Sequence, residues 1–147
     1  MTNWRITGPI ENFLTAISRK RWAFNEGNKG ILQTLAAGDR VYFHATRKSS
    51  YLQRPRSAII GFATVGDLRQ QKEAMWWCQE VESGHNLWPY VFDLKDICLF
   101  SEKVRLTDTD RSVDEWANTD SNKLRAILEN LYAGHVPLSE LNTLARN

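Results

Sequence analysis

Two apolar segments, the alternating RVYFHAT (40–46) and the continuous run SAIIGFATV (57–65), constrain this chain more than any other feature. In the first, Val41, Phe43 and Ala45 alternate with Tyr42, His44 and Thr46, so one face is apolar and the other mixed. The intervening RKSSYLQRPR (47–56), with two serines and Pro55, reads as a loop, and the pair as an antiparallel hairpin. Ala37-Gly38-Asp39 reads as the turn into it, and Gly66-Asp67 as its close.

The flanks add helices. Trp4 to Thr7 reads as a short strand. Pro9 suits the first turn of a helix whose apolar positions Ile10, Phe13, Leu14 and Ile17 follow the i, i+3, i+4, i+7 spacing. That helix is expected to end in SRKR (18–21), and Asn28 to cap a second, short one through Leu35. Pro89 to Leu94 and Ile97 to Leu106 read as two further strands. The tail from Val113 to Ala145 has helical spacing interrupted by Gly134 and Pro137. The order predicts an α+β fold, a small curled sheet or barrel with helices packed around it. A single domain is expected over 1–147, its core at about 3–106 and its C-terminal helices at about 111–146.

Composition excludes several classes. At 147 residues and 42% hydrophobic, the chain suffices for one folded core. Its apolar runs fall short of the roughly 20 residues of a membrane helix, and MTNWRIT lacks a signal-peptide pattern, so a cytoplasmic protein is expected. Cys78, Cys98, His44, His85 and His135 give neither a CxxC pair nor an HxxxH spacing, which predicts no metal, no disulfide and no cofactor.

The net charge of +2 hides an asymmetry. Residues 1–56 hold ten Lys and Arg against three acids, a balance of +7, whereas 57–147 hold nine against fourteen, a balance of −5. The basic runs contain Arg19, Lys20 and Arg21, then Arg47, Lys48, Arg54 and Arg56, with Trp or Tyr close by. Arginine grips phosphates bidentately, so such a patch suits a polyanion.

The segment AMWWCQEVESGHNLWPYVFDL (74–94) places Trp76, Trp77 and Trp88 in a polar neighbourhood, where a core would more often use Leu, Ile or Val. Its end, WPYVFDL, completes a succession: a strand with Trp4, Glu11-Asn12 opening the first helix, Arg21-Trp22 after it, AGDRVYF (37–43), then IGFATV (60–65). In order and spacing, over about residues 3–100, this resembles the EVE domain and its relative the YTH domain, of the PUA-like superfamily.

The resemblance implies a pseudo-barrel that binds a nucleobase, often a methylated one, in an aromatic pocket beside a basic surface. It assigns Asn12 to the base edge and Trp22, followed by Ala23, to the first wall. Trp77 or its neighbour Trp76 would form the second wall, and Trp88 or Leu87 the third. Gly8 stands where YTH members place a second base-contacting Asn. Three candidate walls place 6-methyladenine slightly ahead of 5-methylcytosine, in DNA or RNA. Trp4, His44 and Trp116 read instead as packing or hydrogen-bonding residues of the fold. Such modules also occur fused to nucleases and motor subunits of modification-dependent restriction systems, which implies a targeting role and partners of that kind.

The rival reading is an enzyme. ASCH-type PUA-like relatives include amidohydrolases of modified nucleosides, which would need a Lys, a Thr or Ser and a Glu converging on the pocket. No Lys and Glu pair stands near the proposed indoles, and there is no GxSxG elbow, Walker loop or deaminase HxE with CxxC. The chain is therefore read as a binding module without catalysis, with a Trp-rich protein-docking domain as the third class.

Overall fold

Pro9 fixes where the first helix begins. In the computed structural model, which describes residues 2–24, 29–70 and 90–141, β1 (Asn3–Gly8) is followed at once by α1 (Ile10–Arg19). All four apolar positions foreseen for α1 are buried, and Glu11 lies in its first turn, where a carboxylate suits the helix dipole. The helix ends in its basic run. Lys20 adopts the left-handed conformation at φ 57° and donates its backbone N–H to Ala16 O and Ile17 O.

That single residue reverses the chain into β2 (Arg21–Phe24), a strand the sequence reading did not foresee. Four residues directly after a helix show no usable alternation. The short α2 (Lys29–Thr34), β3 (Arg40–Ala45), β4 (Ala58–Gln70) and β5 (Tyr90–Leu99) follow. A 3-10 turn at Leu106–Asp108 leads to α3 (Val113–Thr119) and α4 (Ser121–Leu131), and a second turn at Leu138–Glu140 comes after them. Ser112 Oγ caps α3 by accepting from Glu115 N–H, and Asp120 Oδ1 caps α4 by accepting from Lys123 N–H.

The strands form one curled five-stranded sheet in the order β1-β3-β4-β5-β2. β1 runs parallel to β3, with Trp4 opposite Val41 and Gly8 opposite Ala45. The expected hairpin of β3 and β4 is present and antiparallel. Two expectations fail. Gly66-Asp67 does not close the hairpin, because β4 continues to Gln70 and its register against β5 shifts between Val65 and Leu68. A bulge absorbs the two turn-forming residues, and Gly66 suits it: a Cβ there would lie 2.9 Å from Lys95 Cε. The two strands read at 89–94 and 97–106 are one strand ending at Leu99, carried through Lys95-Asp96 with Asp96 at φ 50°.

α1 and α4 cover one face of the sheet. Phe13 stacks on Phe43 at 5.3 Å and on Trp22 at 4.9 Å between ring centroids, and Leu124, Ile127, Leu128 and Leu131 join the same core. The opposite face buries Tyr42 against Phe62, with Arg40 lying 4.6 Å over the Phe62 ring. Asp39 ties the sheet's start together. Its Oδ1 accepts from Thr2 N–H at 2.9 Å, and its Oδ2 accepts from Trp4 Nε1 at 2.9 Å and Ala36 N–H at 3.0 Å.

Candidate nucleic-acid interface

Two residues foreseen for the base pocket, Asn12 and Trp22, meet Gly8 where β1 passes into α1. A Cβ built on Gly8 would lie 3.3 Å from Trp22 Cη2 and 3.6 Å from Asn12 Nδ2, so the glycine, the amide and the indole edge converge. Local chain geometry brings them there. Pro9 turns the strand into the helix, Asn12 completes the first turn with its N–H on Pro9 O at 3.0 Å, and β2 returns Trp22 alongside. Asn12 is half-buried, and among the described residues its side-chain amide makes no hydrogen bond, which leaves a donor and an acceptor for a ligand.

Trp22 is more deeply placed than a wall residue needs to be. It is 5% exposed, with one ring face stacked on Phe13 at an interplanar angle of 18°. The neighbouring Ala23 is buried as well, pairing with Val91 across the β2–β5 ladder. The remaining candidate walls, Trp76, Trp77, Leu87 and Trp88, lie outside the described residues.

The basic residues divide into two sets. Arg19 pairs with Glu115 at 3.0 Å, and Arg56 pairs with Glu129 at 3.0 Å while its guanidinium lies 4.2 Å over the Tyr132 ring. Two cations of the first half thus face acids on α3 and α4. Arg21 donates from Nε to Arg19 O at 3.5 Å. Arg47, Lys48 and Arg54 are exposed, and none of their side chains forms an ion pair among the described residues.

The chain places two of this second set near the pocket, whereas Arg54 lines a separate hollow with Arg125 and Glu129. Thr46 N–H donates to Gly8 O at 3.0 Å, so Arg47 and Lys48 leave the sheet beside Gly8. Glu11 anchors the same loop. It is 6% exposed, its Oε2 accepts from Ser50 N–H at 2.6 Å, and its Oε1 has no hydrogen-bond partner. The sequence reading passed over Glu11, because a carboxylate in the first turn of a helix is explained by the dipole alone.

The residues assigned to the fold take up that role. Trp4 donates to Asp39, and Trp116 Nε1 donates to Asp108 O at 3.0 Å with Arg111 stacked on its ring. His44 lies between strands, its Nδ1 3.3 Å from Thr7 Oγ1 and its Nε2 2.9 Å from Ser57 Oγ. Burial and then the nearby Arg5 push its pKa below the usual 6.5, so the ring is neutral at pH 7. No carboxylate completes a relay to it among the described residues.

No family model and no curated protein matches this chain. A crystal structure of a structural-genomics target from Pseudomonas putida is similar over 99% of this chain and 100% of that one, at 15% identity and a TM-score of 0.46. That degree of likeness transfers neither fold family nor function.

Proposed function

We propose that this chain is a nucleic-acid-binding module of PUA-like type, which takes a modified, flipped-out base at Gly8, Asn12 and Trp22 and holds the flanking phosphates with Arg47, Lys48 and Arg54. The observation that carries the reading is the convergence at Gly8: a glycine that leaves room, an amide without a partner, and an indole, with two unpaired cations leaving the sheet next to them.

The energetics suit such a ligand. Stacking a base on an aromatic ring contributes about 1–3 kcal/mol, whatever the base. A methyl adds about 0.8 kcal/mol by apolar burial, whereas extruding a base from a duplex costs a few kcal/mol. Phosphate contacts must therefore supply much of the affinity, and apolar burial alone discriminates the methyl about fourfold, rising to about 10-fold to 200-fold where indoles surround it on several sides. Because Trp22 is 5% exposed, its cover has to move before a base can stack. Single-stranded substrates, which need no extrusion, and mismatched ones, which need less, are bound more tightly than paired duplexes.

The experiment is a binding panel of short oligonucleotides carrying 6-methyladenine, 5-methylcytosine, 5-hydroxymethylcytosine or no modification, in DNA and RNA. Preference for one modified base, with 6-methyladenine first, is expected. Equal binding of all members would leave a basic surface and remove the base reader.

A further inference from the structure

A cavity of about 540 Å³ opens at the C-terminal end of α1, the end away from Asn12. Its wall is apolar: Ile17 of α1, Ile97 and Leu99 of β5, and Val104 and Leu106 from the segment that follows β5. Leu106 is 90% exposed, the only large apolar side chain so exposed among the described residues. Volume and lining both fall within the range of small-molecule sites.

Ser18, Thr109 and the charged Lys20, Arg105 and Asp110 complete the lining. None of these three charges forms an ion pair among the described residues. Asp108, whose Oδ2 accepts from Arg105 N–H at 3.1 Å, is ion-paired with Lys123 Nζ at 3.1 Å, and the Arg105 charge acts on it from further away. One acid against two cations leaves a single positive charge, which matches a monoanion better than a phosphate dianion.

The backbone at Lys20 adds an independent argument. At φ 57° and ψ 43° it holds the left-handed position that closes α1, where glycine or asparagine is the unstrained choice. The helix dipole accounts for a cation near this terminus but not for a side chain with a Cβ at this residue. The capping N–H of Lys20 also satisfies Ala16 O and Ile17 O, so fewer bare carbonyls face an incoming anion.

We propose that this cavity binds a small amphiphilic carboxylate, its apolar chain against Ile17, Ile97 and Leu106 and its carboxylate between Lys20 and Arg105. The site is separate from Asn12 and Trp22 and does not depend on the base-reading proposal.

The test is a titration of the full chain with octanoate, octylammonium and octanol, followed by calorimetry and by amide chemical shifts. Octanoate is expected to bind saturably in the submillimolar range, shifting Ser18, Lys20 and Thr109 rather than Asn12. Octylammonium and octanol should each bind at least about tenfold more weakly. Lys20→Gly removes the cation and relieves the backbone, so it should weaken octanoate about fivefold to tenfold with an unchanged or higher melting temperature. Arg105→Gln should weaken it similarly. The proposal is overturned if octanol or octylammonium binds as tightly as octanoate. The same holds if the shifts map elsewhere, if Lys20→Gly binds like the wild type, or if octanoate shows no saturation.

Discussion

Replacing Trp22 by Leu tests the pocket, provided that its structural role is separated from its proposed ligand role. The indole is 5% exposed and stacked on Phe13, so the change also injures the core. Burying about 150–250 Å² of aromatic surface at about 25 cal/mol per Å² gives about 4–6 kcal/mol. Leucine recovers about 2–3 kcal/mol of this, and the lost ring pair removes about 0.5–1.5 kcal/mol more. The net destabilisation is about 2.5–4.5 kcal/mol, or roughly 5–18 °C in melting temperature for a chain of this length. Phe13→Leu is the matched control. It breaks the stacks on Trp22 and Phe43 from behind, at a cost of about 1.5–3 kcal/mol, without altering the residue that would meet the base. Thermal melts give both stabilities, and fluorescence anisotropy with labelled methylated oligonucleotides, run well below either melting point, gives affinity. Trp22→Leu should lose about 1–3 kcal/mol of binding, and Phe13→Leu less than about 0.5 kcal/mol. Equal losses in the two variants, or none in either, would refute Trp22 as a wall of the site.

Arg47→Gln and Lys48→Gln should each flatten the slope of log affinity against log salt by about 0.7–0.9, whereas Arg19→Gln and Arg56→Gln, whose cations face Glu115 and Glu129, should leave it nearly unchanged. Asp39→Asn removes one charge-assisted acceptor and weakens two others, costing about 2–4 kcal/mol at pH 7 in urea unfolding. The N–H donors of Thr2 and Trp4 hold the Asp39 carboxyl below its usual 3.8, so its stabilisation is present above pH 3.8 and is lost as pH falls towards the lower folded value. The gap between wild type and variant should therefore narrow in acid. For His44, whose folded pKa lies below 6.5, the unfolded chain takes up the proton first, so stability declines as pH drops below 6.5 and levels off below the folded value. His44→Gln should abolish that segment of the pH–stability curve, measured by melts from pH 7.5 to 4.5.

Local patterns in the sequence were sufficient for the elements whose signal is periodic and for the residues that neighbour one another along the chain. The spacing of Ile10, Phe13, Leu14 and Ile17 after Pro9 determined α1, and the alternation in 40–46 followed by a loop and the apolar run 57–65 determined the central hairpin, because each segment has an apolar face to bury. Asn12 was singled out only by its place in the resemblance, since its spacing alone reads as a solvated helix position, and the folded chain has it half-buried. What depended on partners far along the chain was not legible. Whether Gly66-Asp67 turns or bulges is decided by β5 lying alongside, and whether 21–24 is a loop or a strand by the ladder from Trp22 to Phe92. Charge behaved likewise. Residues 1–56 carry +7, but which cations remain available was decided by α3 and α4 bringing Glu115 to Arg19 and Glu129 to Arg56, while Arg47 and Lys48 were left beside Gly8. Periodicity is a property of neighbours on the chain and so is written in the sequence. Pairing is a property of neighbours in space, and only the folded sheet and its two covering helices supply those.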